Sequence, residues 1–323
     1  MNFRTIVKPD KPDFLISHRD RIVSIGSCFS QSIGKKFSDY KFNINVNPFG
    51  QQYNPFSIAN SINRLLNPIE YTKDDLVYHE ELFHSFDHHG SYSKPTVEET
   101  LKQINGNLIH AHEDLKNATI LFLTFGTSHV FRLNATGKIV SNNHKMPGAL
   151  FTQELMKPDS IVTATENALN AIRKVNSKIK IIFTISPVRY LAFGAHENSV
   201  SKSYLFTSIH ELQTKFQQFY YFPAYEIVID DLRDYRFYAD DMLHPNSQAT
   251  DYVWNILCET IMSKQTEDLM KEIGEIVAAS RHKPRNPASE SHKKFLKKYM
   301  TRMKELSAKY GLDFSEEERQ LKG

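Results

Sequence analysis

Apolar positions along the chain fall into two alternating patterns. Five short apolar runs, Ile22–Ile25, Phe42–Val46, Ile120–Phe125, Lys180–Ile185 and Glu226–Ile229, predict buried strands. The stretches 119–125 and 179–185 are nearly continuous in apolar residues, as strands covered on both faces of a parallel sheet are. Between these runs, apolar residues recur at three- and four-residue spacing over Gln31–Asp39, Ser57–Leu66, Val97–Leu115, Ser160–Val175 and Ser203–Phe219, which predicts helices. Strand and helix patterns in alternation imply crossover connections and a parallel sheet with helices on both sides. Segments 67–95 and 131–158 break the alternation and are expected to be inserted excursions.

Composition narrows this further. With 323 residues, 40% of them hydrophobic, and with 22 Phe and 15 Tyr, the chain has the material for a sizeable core. A net charge of +3 implies no polyelectrolyte partner, so nucleic acid is not expected to bind. Cys28 and Cys258 lie far apart and make no disulfide or metal pattern, which suits a reducing compartment. The N-terminus has no basic start followed by an apolar run, and no window approaches the roughly 18 apolar residues of a membrane span. The expectation is a cytoplasmic protein without a membrane span. Composition shifts at Arg281–Pro287, a proline-containing linker, and Ser289–Tyr310 follows as a basic helix with Phe295, Tyr299, Met303 and Leu306 at helical spacing. This divides the chain into a main domain, 1–280, and a basic helical extension, 281–323. The helix is expected to pack by its apolar stripe, with homodimerisation as another use of that face.

The chemistry-bearing residues gather at predicted strand exits. Gly26-Ser27-Cys28 sits where the first strand stops and a helix starts, so a nucleophile there meets free N–H groups and the positive end of a helix dipole. That setting should lower the Cys28 thiol pKa. Polar or turn residues also follow the next three strands: Asn47-Pro-Phe-Gly50, Gly126-Thr-Ser-His129 and Ser186-Pro-Val-Arg189. In parallel sheets the site lies beyond these strand ends. Asp241-Met-Leu-His244, just before a predicted C-terminal helix, can orient an imidazole as a general base. Against it stands chance: the chain has 14 His, and about one Asp-x-x-His is expected by composition. His79, His84, His88 and His89 resemble a metal cluster, but His79 and His84 are five apart and miss the zinc-helix spacing by one. A His-lined cleft rim is expected instead, with no metal and no other cofactor. Arg189 and Lys202 suit an anionic group of a substrate, or else a solvated loop.

Ile25-Gly-Ser-Cys-Phe29 with Asp241-Met-Leu-His244-Pro-Asn resembles the GSCFA-domain family, a distant branch of the SGNH (GDSL-like) hydrolases. Asn47-Pro-Phe-Gly50, Tyr53-Asn-Pro55, Ser85-Phe-Asp-His-His89, Phe125-Gly-Thr127, Asn142-Asn-His-Lys145, Ser186-Pro-Val-Arg189 and Ser201-Lys202 extend the likeness over about residues 20–260. The resemblance implies a three-layer α/β/α, flavodoxin-like fold with a five-stranded parallel sheet in the order 2-1-3-4-5. It implies Cys28 as nucleophile with Ser27 as the alternative, His244 as base, Asp241 as its orienter, and Gly50, Thr127 and Ser128 around the oxyanion. Gly126-Thr-Ser departs from the superfamily's Gly-x-Asn, and Asn143 stands where the family often has Cys. His88, His89, His144, Lys145, Arg189 and Lys202 are the expected substrate contacts. The function implied is hydrolysis or transfer of an O-acyl ester of a carbohydrate or cell-envelope precursor, with an acyl donor in the transfer case. A non-catalytic ligand-binding module on the same fold is the competing class.

Overall fold

The computed structural model describes residues 3–216 and 219–322. Its centre is a parallel sheet of β1 (Arg21–Gly26), β2 (Asn43–Val46), β3 (Ile120–Phe125), β4 (Lys180–Ile185) and β5 (Phe219–Tyr221), in the spatial order 2-1-3-4-5. Register is continuous through the middle of the sheet: Val23 pairs with Leu121, and Leu121 with Ile181. Alternate residues of these strands enter two separate cores. Val23, Ile25, Leu121, Leu123, Phe125, Ile181 and Phe183 face one, while Ile22, Ile120, Phe122 and Ile182 face the other. Both faces are therefore apolar, which is why the strands read as unbroken hydrophobic runs.

The first core is covered by α2 (Pro55–Leu66), α3 (Val97–Lys116), α4 (Pro158–Val175) and α5 (Gly194–Lys215) through residues such as Ile62, Leu108, Leu169 and Ile209. The second is covered by α1 (Cys28–Asp39) and α6 (Ser247–Ile261), with Phe37 set edge-on to Trp254. The result is a three-layer α/β/α fold. The two excursions are small antiparallel sheets: strands 76–79 and 82–85 form one, and strands 129–133, 139–140 and 151–155 the other.

The fifth strand is not where the apolar run predicts it. Residues 224–226 are helical and 227–231 form a turn of π-helix, whereas the edge strand is Phe219–Tyr221. Ile227 and Val228, both fully buried, reach the second core from a helical backbone, so their adjacency mimics a strand. For the same reason α5 stops at Lys215 instead of running to Phe219. It also starts at Gly194, well before the predicted Ser203, because its first turns bury Asn198, Ser201 and Lys202 rather than an apolar stripe.

Beyond the sheet, α7 (Lys264–Ser280), α8 (Glu290–Tyr310) and α9 (Ser315–Lys322) share a third core. Met303 and Leu306 of α8 meet Leu269, Ile273 and Ile276 of α7, with Phe295 and Tyr299 packed alongside, so the apolar stripe is turned onto its own chain. Gly311, with φ +69°, ends α8 in the left-handed conformation that favours glycine. Among the described residues, no helix is long and apolar enough to cross a membrane.

Candidate active site

The turn between β1 and α1 is built by steric exclusion and one buried amide. A Cβ on Gly26 would stand 2.5 Å from the Thr124 carbonyl oxygen of the neighbouring strand, so only glycine lets β1 approach β3 this closely. Asn47 then fastens the turn. Its Oδ1 accepts from the Gly26 N–H at 2.8 Å, its Nδ2 donates to Gln31 on α1 at 3.1 Å, and its own N–H donates to the Ser24 carbonyl at 2.7 Å. Ser27 is the N-cap of α1, but its side chain makes no capping bond, and its buried Oγ has no hydrogen-bond partner. Cys28 is the first helical residue and is only partly buried.

The expected lowering of the Cys28 pKa is not what this environment produces. Burial pushes the thiol up, and this outweighs the N–H groups of Phe29 and Cys28 and the charge of Lys202, which pull it down; Asp241 adds to the rise. A helix terminus offers partial charges, and the desolvation of a thiolate is the larger quantity here.

At the far end of the chain, Asp241 organises the turn that carries His244. Its Oδ1 accepts from the N–H groups of Leu243 and His244, both at 2.9 Å, and its Oδ2 lies 2.6 Å from His244 Nδ1. These bonds hold the Asp241 carboxyl down at about 2, well below its ordinary value. The turn needs Met242 at φ +57°. It is pinned from outside by Ala239 N–H to the His244 carbonyl at 2.8 Å and by Asn246 Nδ2 to the Arg236 carbonyl at 2.7 Å. Asn246 caps α6 by accepting from the Ala249 N–H, which settles which residue opens that helix. With Nδ1 committed to the carboxylate, Nε2 is the imidazole's remaining nitrogen for proton transfer.

The β1–α1 turn and the turn before α6 meet in one cavity of about 790 Å³. Ser27, Cys28 and His244 line it, together with residues following β2 (Gln51, Tyr53, Asn54), β3 (Gly126, Thr127, His129) and β4 (Ser186, Val188, Arg189). Three of the four strand exits singled out in the sequence thus contribute to the cavity wall, and after β2 it is the residues following Asn47-Pro-Phe-Gly50 that do. Its outer wall is formed by Phe131, Asn142, Asn143, Lys145 and Tyr190. None of the lining side chains is a carboxylate.

Several expected contacts lie elsewhere. The Gly50 N–H donates to the Asn47 carbonyl at 2.7 Å inside a tight turn, so it is not aimed at the cavity. Gly50 itself is required by φ +76° and by the His89 Cβ, which would lie 2.3 Å from an added Cβ. Ser128 is wholly buried and bonded through N and Oγ to Ser201. Thr127 does reach the cavity, but its N–H donates to the Tyr53 carbonyl and its Oγ1 pairs with Ser201 at 3.0 Å.

The histidines of the excursion are structural. His88 is buried between Phe49, Tyr71 and Tyr92, with its pKa lowered to about 3 chiefly by burial. His89 pairs with Ser91 Oγ at 3.1 Å. His144 lies 2.8 Å from the Ser85 carbonyl, stacks near His84, and has its pKa lowered to about 4, again chiefly by burial. Lys202 is 2% exposed and does not line the cavity. Of the six expected substrate contacts, only Lys145 and Arg189 reach it. No group of three or more His, Cys, Asp or Glu among the described residues is arranged to hold a metal ion.

Two wall residues, Asn54 and His129, stand in motifs the sequence reading named but received no role in it. Asn54 caps α2 by accepting from the Ser57 N–H at 2.8 Å, which leaves its amide nitrogen as a donor at the cavity. Its signal was Asn-Pro at a helix start, which reads as capping alone. The ring nitrogens of buried His129 make no well-formed hydrogen bond, and burial, partly countered by Glu197, lowers its pKa.

A family model described as the GSCFA family matches residues 21–256, more than half of the chain, and one described as the C-terminal domain of GSCFA domain proteins matches residues 273–323. The chain belongs to the GSCFA family. The GSCFA match spans every element that contributes to the cavity, and the C-terminal match covers α8, α9 and the second half of α7. No curated protein sequence matches the chain. Among solved structures, an acetyl esterase mutant with acetate ion is 10% identical over 79% of this chain and 98% of its own, with a TM-score of 0.35. A family 3 carbohydrate esterase from Talaromyces cellulolyticus gives the same figures. The family 3 carbohydrate esterase of Clostridium thermocellum is 12% identical over 78% of this chain and 97% of its own, also at 0.35.

Proposed function

We propose that this GSCFA protein cleaves or transfers an O-acyl ester through Cys28, with His244 as base and Asp241 as its orienter. The observation that carries the reading is the 2.6 Å contact of Asp241 with His244 Nδ1 at the wall of the same cavity that Cys28 lines. In the proposed cycle, His244 Nε2 takes the thiol proton and the thiolate attacks the ester carbonyl. The alkoxide leaves with that proton, and a thioester remains on Cys28. Water then returns the free acid, or an acceptor hydroxyl takes the acyl group. Ser27 is the weaker nucleophile, being almost fully buried, whereas Cys28 opens α1 and is partly exposed.

The donors first expected for the oxyanion are already bonded, so the role passes to the Cys28 N–H at the uncapped start of α1 and to the amide nitrogen of Asn54. The latter supplies the side-chain amide missing from Gly126-Thr-Ser. For the substrate, Tyr53, Phe131 and Tyr190 offer ring faces of the kind that stack on sugars, and Asn142 and Asn143 offer hydrogen bonds. Arg189 and Lys145 are the basic side chains of the wall, which favours a carbohydrate ester bearing an acidic group. The commitment of Gly50 and Ser128 to other partners favours a second reading, a ligand-binding module without turnover.

Intact-mass measurement after incubation with p-nitrophenyl acetate separates the two. The expected result is one acetyl group mapped to Cys28, absent in Cys28→Ala and reduced at least tenfold in initial rate in His244→Ala. Unmodified wild-type protein would leave the binding reading in its place.

A further inference from the structure

Lys202 is a buried cation that the ester chemistry leaves without a task. It lies on the inner face of α5, and its Nζ donates to the carbonyls of Gly126 at 2.7 Å and Ser186 at 2.6 Å. These residues follow the adjacent strands β3 and β4, and both line the cavity. Gly126 also lies against Ser27, where an added Cβ would stand 3.5 Å from the Ser27 Cβ, so one residue links the ammonium to the Ser27-Cys28 turn.

Two carbonyls occupy two of its three protons and supply no negative charge. No carboxylate among the described residues forms an ion pair with it. The ring of Tyr225, 5.7 Å away, is its other nearby electron-rich group. A charge taken out of water is costly unless an opposite charge meets it. The group whose charge favours the ammonium is Cys28, while Arg189 opposes it. Reciprocally, Lys202 favours the Cys28 thiolate.

We propose that Lys202 is a positioning residue, the buried counter-charge against which the Cys28 thiolate forms. This rests on Cys28 as the attacking group. The other groups that face the thiol do not take this role. Asp241, from the turn before α6, raises the thiol pKa, and His244 of the same turn is committed to Asp241. Tyr53, before α2, is pushed up to about 12 and is neutral at physiological pH. Arg189 lines the open wall, where water screens it. Burial brings Lys202 itself to about 7, so its charge depends on the anion it faces.

The test is the pH profile of iodoacetamide alkylation at Cys28, with rates assigned by peptide mapping on the full chain. In Lys202→Gln the amide can still donate to both carbonyls but carries no charge. Its profile should shift upward by one pH unit or more, with alkylation near pH 7 about tenfold slower. Lys202→Arg should retain most of the wild-type profile. An unmoved midpoint in folded Lys202→Gln, judged by circular dichroism, overturns the proposal. If that variant fails to fold, the same comparison is made with Lys202→Met. If that also fails, a wild-type-like midpoint in Lys202→Arg supports the counter-charge and an upward-shifted one overturns it. Alkylation requires no ester turnover, so an inert enzyme with a shifted profile sinks the ester reading alone, and an active one with an unmoved profile sinks only this inference.

Discussion

A carboxylate that accepts two backbone N–H groups and also orients an imidazole has three ways to matter, and Asp241 does all of them with two oxygens. Asp241→Asn separates the tasks. The amide oxygen can keep the contacts to Leu243 and His244 N–H, but its NH2 would donate toward Nδ1 and favour the wrong tautomer. Turnover should fall by roughly 10²–10⁴ with little change in melting temperature, read by ester hydrolysis and thermal denaturation. At this scale the sequence was a good guide to where Cys28, Asp241 and His244 stand, because turn chemistry places all three at element ends. It was a poor guide to Gly50, Ser128 and Lys202. Their neighbours in sequence do not reveal that an N–H is already spent, or that a lysine points inward. Lysine is so rarely buried that Lys202 reads as a loop cation.

Among elements, the β1–α1 turn depends on a residue in neither. Asn47 joins the end of β1 to α1 from the loop after β2, holding φ +50° to do so. Asn47→Ala leaves the buried Gly26 N–H without an acceptor. It should cost about 1–3 kcal/mol in denaturant unfolding, and it should also reduce Cys28 acylation, since the turn that presents the thiol loosens. Four of the five strands and most helices were legible because two apolar cores impose clear periodicity on them. The exceptions share one cause. Ile227 and Val228 are buried in a π-helical turn, where adjacent apolar residues imitate a strand, and the first turns of α5 bury the polar Asn198, Ser201 and Lys202, so no apolar stripe announces them.

For the molecule as a whole, buried bases shape stability against pH. His88 and His144 hold pKa values near 3 and 4, below the ordinary 6.5. As pH falls from about 6.5 toward 4, the unfolded chain binds protons these residues refuse, and stability drops. Lys202, at about 7 against an ordinary 10.5, acts in the same direction at higher pH. Stability should rise again from about pH 7 to 9, as the buried Lys202–Cys28 pair gives up a proton that the unfolded lysine keeps. Above that, Cys28 and Cys258, both pushed up from 9.0 by burial, keep protons the unfolded chain gives up, and the slope reverses. Urea midpoints measured across pH should therefore peak on the alkaline side, and Lys202→Gln should flatten the rise between 7 and 9. The two thiols differ in one more respect. Cys258 is sealed in the second core beside Trp254, while Cys28 opens onto the cavity, and neither is bonded to the other. Peroxide that reaches Cys28 would form a sulfenic acid with no resolving cysteine at hand, so recovery has to come from a small thiol entering by the substrate's own route.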